Sequence, residues 1–345
     1  MFGQKSTRQI DLHLPTGWNS CTTEELEAIA AAIIQEQQRV DRYHPFDWSR
    51  VKLNVVLAVN SIEVVSQPVP VVKNYSHDDT YLVRRSKDEE SWPITVGQLV
   101  ALTERLAWID DEKASKTIFQ FPYPTLDVRC KKEEGRCKKD DVRCKREDGR
   151  DIRHHTSNII HLQGPPPLLD GYTWQEYRWM TDWMQAYMRH SNAILQMNNE
   201  ELIMKNREAA ENARNEFLAV LFKPKAPDGK TAEHTSAISH LTSDIFEGFS
   251  PIKWQVILFW WSSLMSMLAK KFPKVFKQQP VGKGKRRPQQ QDTPWDFYNR
   301  VTATIQKYIG GLSEQDVNNA TYGTILQQLE MMADEAAEME KLKKK

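Results

Sequence analysis

The sequence predicts a mainly α protein: a multi-helix bundle with a small β-containing N-terminal part and long inserted loops. Three observations predict it. Thr22 with Glu25, Thr95 with Gln98 and Thr173 with Glu176 have the spacing of capping boxes, each ahead of a helical stretch. The sixteen residues from Trp254 to Ala269 are largely apolar and bounded by lysines. β-Branched residues are dense only in short stretches of the first part, 51–59 and 62–72.

Taken in order, residues 10–20 read as an extended lead-in broken by Pro15 and Gly17. The box at Thr22 opens a helix to about Val40, with Leu26, Ile29, Ala30, Ile33 and Ile34 facing inward. VKLNVVLAV (51–59) and IEVVSQPVPVV (62–72) read as strands, the second pushed to an edge by Pro68 and Pro70. Tyr81–Val83 is a further short strand. Thr95 starts a helix through Trp108. Ile118–Leu126 is extended, and its prolines rule out a central strand.

Residues 128–153 differ in kind. VRCKKEE, GRCKKDD, VRCKRED and GRDIRHH are four successive seven-residue units. A coiled coil needs apolar a and d positions, whereas the uncharged positions here lie two apart and about 200° apart around a helix. The segment reads as a self-neutralising surface insertion. A second repeat, HTSNIIHL at 155–162 and HTSAISHL at 234–241, reads as two inserted surface loops.

The middle of the chain is organised around Pro165–Phe222. TWQEYRWMTDWMQAYMRH carries Trp174, Tyr177, Met180, Trp183, Met184, Tyr187 and Met188 on one broad apolar face. A long polar helix follows and ends in Phe217–Phe222. Ser250-Pro251 then launches the apolar helix, which Pro273 stops. Residues 277–292 read as a Gln/Gly/Pro linker. Pro294 opens two last helices, one ended by Gly310-Gly311 and one starting near Asn319. The expected organisation is therefore a mixed unit at 1–126, the charged insertion at 127–163, and a helical core at 164–276 with an inserted loop at 223–250. A basic linker at 277–293 and a C-terminal helical unit at 294–345 complete it.

Composition narrows function. The net charge is +1, which gives no global attraction to nucleic acid or anionic membranes. Trp254–Ala269 would be about 24 Å long as a helix, short of the ~30 Å hydrocarbon core, so a buried helix is expected. The opening residues lack the apolar region of a signal peptide, and three of four cysteines lie in the heptad units, so a reducing cytosol is expected.

No P-loop, G-x-S-x-G or H-E-x-x-H occurs, and no catalytic residue, cofactor or metal is expected. Cys130, Cys137 and Cys144 lie seven apart, wider than the two-to-four spacing of structural zinc ligands. His155/His161 and His234/His240 are six apart and share no helical face. Lys270–Arg287 holds eight Lys or Arg and no acid, an electrostatic footprint for phosphate.

The aromatic face has two readings, internal core or a surface receiving an apolar segment of another protein. On the first, the helix at 252–269 covers it and leaves Ser191–Phe222 for recognition. On the second, the contact residues are Trp174, Tyr177, Trp183, Tyr187, Phe217, Phe222, Trp260 and Trp261, since aromatic and Met-rich surfaces re-pack readily.

Several stretches together resemble a group of bacteriophage and prophage proteins of gut Bacteroidetes. They are LPTGWNSCTTEELEAIA, TWQEYRWMTDWMQAYM, LAVLFKP, KWQVILFWWSSLMSMLAKKFPKVF and the closing FYNRVTATIQKY with TILQQLEMMADEAAEMEK. That group looks like tail-assembly chaperones encoded beside the tape-measure gene, or other tail-module proteins. The heptad units and the HTS segments depart from its pattern. The resemblance implies a non-enzymatic protein of the host cytoplasm, or of the virion, that binds a tape-measure or tail-tube protein, with self-association a further expectation. A structural component of tail or connector is the alternative it leaves, and a DNA-binding accessory factor using 270–287 is the third reading.

Overall fold

The computed structural model describes residues 12–41, 43–66, 79–86, 91–111, 117–118, 120–129, 159–224, 243–276 and 294–343. In chain order the helices are α1 (Thr23–Arg39), α2 (Trp48–Val59), α3 (Val96–Glu104), α4 (Trp174–Gln196), α5 (Glu200–Leu221), α6 (Pro251–Lys271), α7 (Pro294–Ile309), α8 (Glu314–Asn319) and α9 (Tyr322–Lys343). The strands are β1 (Ile62–Ser66), β2 (Thr80–Arg85), β3 (Trp92–Thr95), β4 (Thr125–Arg129), β5 (Ile159–Gln163) and β6 (Lys223–Pro224). The protein is mainly α, with two small antiparallel sheets among the described residues. Two compact units are formed by Met1–Pro122 with Phe249–Met267, and by Tyr123–Gly248 with Leu268–Lys345.

In the first unit α1 starts as its sequence dictates. Thr22 Oγ1 accepts the Glu25 N–H at 3.2 Å, and the Glu25 carboxylate accepts the Thr22 N–H at 2.7 Å. Leu26, Ile29, Ala30 and Ile33 are buried.

VKLNVVLAV is not a strand: it is most of α2. Asp47 caps it, accepting the Ser49 N–H at 2.9 Å. Val51, Val55 and Val56 are fully buried, and their spacing of four and five is a helical stripe. Packing of that stripe outweighs the β preference of branched side chains. β1, β2 and β3 form a meander, with β1 on an edge and irregular between Val64 and Ser66. Ile62, Val83, Ile94 and Leu99 make its core. α3 leaves β3 through a complete capping box at Thr95 but ends at Glu104, not Trp108; a 3-10 turn at Ala107–Ile109 follows.

The α6 residues of this unit are held by aromatic contacts and one buried polar one. The Trp18 and Phe259 rings lie 5.2 Å apart, and Phe121 meets Trp260 edge-on at 4.8 Å. The Ile118 N–H donates to Ser263 Oγ at 2.7 Å, and Ser263 is fully buried. No helix among the described residues is long and apolar enough to cross a membrane.

The second unit contains a sheet that the sequence reading did not anticipate. β5 is its middle strand, between β4 and β6. Leu162 stands opposite both Leu126 and Pro224 and is fully buried. Ile159–Leu162, read as a surface loop, is therefore most of the middle strand of a sheet; its period-two residues are too few to distinguish it from loop without its partners. The remainder of that HTS copy, the whole second copy, the heptad units beyond Arg129 and the linker 277–292 lie outside the described residues.

Within this unit α4 and α5 form a long antiparallel hairpin, and α5, α7, α8 and α9 lie against α4. Gly310 and Gly311, with φ of +71° and +73°, end α7 as expected. The short α8 was not anticipated, although Ser313 and Asp316 cap it as a box.

Removing the Ser263 hydroxyl strands the Ile118 N–H in the core. Ser263→Ala is expected to lower stability by about 1–3 kcal/mol, read from the urea midpoint at unchanged m-value.

Candidate functional site: the α4–α5 hairpin

α4 has 23 residues and α5 has 22, each about 33–35 Å long. Their ends are specified locally. Thr173 and Glu176 form the α4 capping box, with the Thr173 N–H bonded to the Glu176 carboxylate at 2.8 Å. Asn199 caps α5 by accepting the Glu201 and Leu202 N–H groups at 3.0 and 3.2 Å.

Burial changes abruptly along the hairpin. At its base, Trp174, Tyr177, Met180 and Met184 on α4 and Ala210, Ala213, Phe217, Leu218 and Leu221 on α5 are buried. Between Gln185 and Ala209 no residue is buried. This outer half is two helices thick, and a polar contact joins its helices. His190 Nδ1 lies 2.9 Å from Asn206 Oδ1, and the Asn206 amide donates to the Leu202 carbonyl at 2.9 Å.

Apolar side chains nevertheless decorate it: Leu195 is 84% exposed, Met204 69% and Met188 53%. Leu202 and Trp183 are exposed to a lesser degree. Tyr177, Thr181, Met184, Met188, Ser191 and Leu195 follow one another at four and three along α4, a single heptad-like stripe. Its inner members Tyr177, Thr181 and Met184 are buried, Ser191 is half-buried, and Met188 and Leu195 are exposed.

Of the eight residues proposed from sequence, six belong to the second unit and two to the first. Trp174, Tyr177, Phe217, Phe222, Trp260 and Trp261 are buried, so a partner docking on the folded surface does not reach them. Trp174 and Tyr177 stack at 5.8 Å, and Tyr177 stacks on Tyr322 at 5.0 Å. Phe222 lies 5.9 Å from Phe246. Trp260 and Trp261 belong to the first unit. Trp183 is exposed and Tyr187 half-buried, both on the hairpin. Leu195, Leu202 and Met204 were not singled out, although they lie within Ser191–Phe222, the stretch that the core reading left for recognition. Their apolar character was visible, but where the covering helices stop was not.

The base is rigidified by unusual polar contacts. The buried Tyr172 hydroxyl donates to the Leu221 carbonyl, and burial first, then the Glu176 charge, raises its pKa well above the ordinary phenol value. Lys223 Nζ bonds the Glu176 carboxylate at 3.0 Å and sits 4.1 Å from the Tyr172 ring centroid. Arg178, also buried, reaches Asn299 Oδ1 at 2.9 Å and Asn318 Oδ1 at 3.3 Å. One turn on, Asp182 has a buried oxygen with no hydrogen-bond partner. Burial raises its pKa, opposed by the pull of Arg178.

Chemistry elsewhere is sparse. Among the described residues no three His, Cys, Asp or Glu side chains are grouped to hold a metal. His161 is engaged with Asp127 across β4 and β5 at 2.7 Å. The zinc candidates Cys130, Cys137 and Cys144, with His154 or His155, lie outside the described residues, as do His234 and His240. Of the basic stretch 270–287, residues 277–287 also lie outside, and Lys274 is bonded to Asp334. A cleft of about 540 Å³ beside α1 contains Cys21, whose thiol is pushed up to about 12 by burial and the Glu25 charge. No family model, curated protein or solved structure matches the chain.

Two outcomes follow from these charges. An acid raised in the folded state favours folding while protonated and loses that contribution as pH rises through its folded pKa. Asp182→Asn is therefore expected to raise the thermal midpoint at pH 7, with the gain shrinking towards pH 4. Cys21, held as a thiol, is expected to alkylate far more slowly at pH 8 in the native chain than in denaturant, as scored by peptide mass mapping.

Proposed function

We propose that this protein is a non-enzymatic binding protein of phage tail morphogenesis, a tail-assembly chaperone that holds an amphipathic helix of a tape-measure protein on the α4–α5 hairpin. The observation that carries the reading is the bare outer half of that hairpin. Leu195, Met204 and Met188 lie in solvent on a two-helix projection whose base is tightly packed. A heptad-like stripe that leaves the core and still carries Met188 and Leu195 suits a further helix laid along it. Methionine and leucine side chains adapt to varied helical partners, which suits holding a long repetitive helix soluble until tube subunits polymerise around it. The sequence resemblance supplies the tail context, and the hairpin supplies the surface.

Co-expression with the neighbouring tape-measure product is the test. The expected result is co-purification and a gain in solubility of the tape-measure chain. Met188→Glu, Leu195→Glu and Met204→Glu together are expected to weaken capture at least about tenfold while leaving the thermal midpoint unchanged, because these side chains support no core. Capture by the triple variant at wild-type strength, or no capture by either, overturns the reading. Mass spectrometry of purified particles separates it from a tail or connector component, which would be present at fixed copy number.

A further inference from the structure

The methionines of the hairpin divide by what surrounds their sulfur. Met180 and Met184, at its base, are buried. Met188 and Met204, on its outer half, are 53% and 69% exposed. Met197 is half-buried at the end of α4, and its sulfur receives a hydrogen bond from the Asn206 amide at 3.4 Å. No cysteine lies in α4 or α5. Among the described residues the free cysteine is Cys21, whose thiol is pushed up to about 12, and peroxides attack the thiolate rather than the thiol. A thioether needs no deprotonation to react, so its exposure governs its rate.

We propose that Met188 and Met204 form a reversible oxidation site that turns the outer surface of the hairpin from apolar to polar and so releases its partner. The oxidant is a hydroperoxide. A lone pair on the thioether sulfur attacks one peroxide oxygen, and the S–O bond forms as the O–O bond breaks. The proton on the transferred oxygen passes to the departing hydroxide, giving water. Sulfur loses two electrons, the peroxide gains them, and the product is methionine sulfoxide.

The new oxygen is a strong hydrogen-bond acceptor, and burying it under an apolar helix without a donor is costly. The position of the two residues separates a switch from damage. Neither supports the core, so the fold survives their oxidation, while Met180 and Met184, which do support it, are shielded. Reversal takes a reductase for each sulfoxide epimer. Release of the partner rests on the capture reading proposed above; the oxidation site does not.

Hydrogen peroxide added in graded doses to the full chain is the test, with sulfoxides mapped by peptide mass. Met188 and Met204 are expected to oxidise at least about tenfold faster than Met180 and Met184, with Met197 between them and the thermal midpoint unchanged. Oxidised wild-type chain is then expected to lose at least about tenfold in tape-measure capture, measured with a thiol reductant present so that sulfoxides alone persist. Methionine sulfoxide reductases are expected to restore it. In a chain with Met188→Leu and Met204→Leu, peroxide is expected to change capture less than about twofold from that chain's own starting value. The cysteines and the exposed Met331 and Met339 oxidise in both chains, so the comparison isolates the hairpin. An untreated chain that captures nothing overturns the chaperone reading alone. The oxidation site is then decided by the mapping and by retention on a hydrophobic-interaction column, which peroxide is expected to lower more in wild type than in the leucine variant. Met188 and Met204 oxidising no faster than Met180 and Met184, or equal losses of retention in the two chains, overturn the proposal. So does capture that oxidation leaves intact, that falls equally in both chains, or that the reductases fail to restore.

Discussion

Two backbone hydrogen bonds join the start of α4 to the start of α9, and the second unit depends on them. The Trp174 N–H donates to the Ala320 carbonyl at 2.8 Å, and the Tyr322 N–H donates to the Tyr172 carbonyl at 3.0 Å. The first N–H groups of a helix have no partner within it. Here each helix supplies that partner from the residues leading into the other, with Thr173 and Thr321 bridged between them. The two tyrosines that flank the junction extend it. Tyr172 donates to Leu221, whose carbonyl lies at the end of α5, and Tyr322 donates to Leu168. Leu168 and Leu169 both have positive φ, uncommon for leucine, and Tyr322 and the surrounding packing hold that turn in place. One junction thereby sets where α4, α5 and α9 begin or end.

From that origin the long helices extend further than the unit can cover them. The core around Tyr177, Tyr322, Phe217 and Leu221 is dense near the junction. Beyond Met184 on α4 and beyond Met332 on α9 no buried residue follows on the same helix. Helices of 22 and 23 residues outrun a packed unit of this size, and their stripes continue past its edge. Bare, regularly spaced apolar residues on rigid helices are an arrangement that binding proteins use and that a purely structural core would bury. The charged groups at the base, Glu176 with Lys223 and Arg178 with two asparagines, hold the first turns of α4 within the core.

Much of this was legible before any coordinates. Capping boxes at Thr22, Thr95 and Thr173 marked helix starts because the side chain and the N–H that it satisfies lie three residues apart. The Gly310-Gly311 stop and the Pro251 start are local for the same reason. What failed was non-local. VKLNVVLAV carries strand-favouring residues, and only the docking of α2 on α1 decides that Val51, Val55 and Val56 face one way. Ile159–Leu162 becomes a strand because β4 and β6, distant in sequence, bond to its two edges.

The candidate site divides along the same line. That an aromatic and methionine-rich helix must be covered followed from its residues alone, because so much apolar area costs too much in water. Which part of it is covered did not. Trp174 and Tyr177 are core because Tyr322, Thr302 and the α5 residues stand over them, whereas Met188 and Leu195, on the same stripe, have no such neighbours. The sequence by itself determined the helices, their ends and their apolar faces, which depend on contacts a few residues apart. Only the tertiary structure decided where along each helix the protein stops covering itself, because that boundary is set by segments far away in the chain.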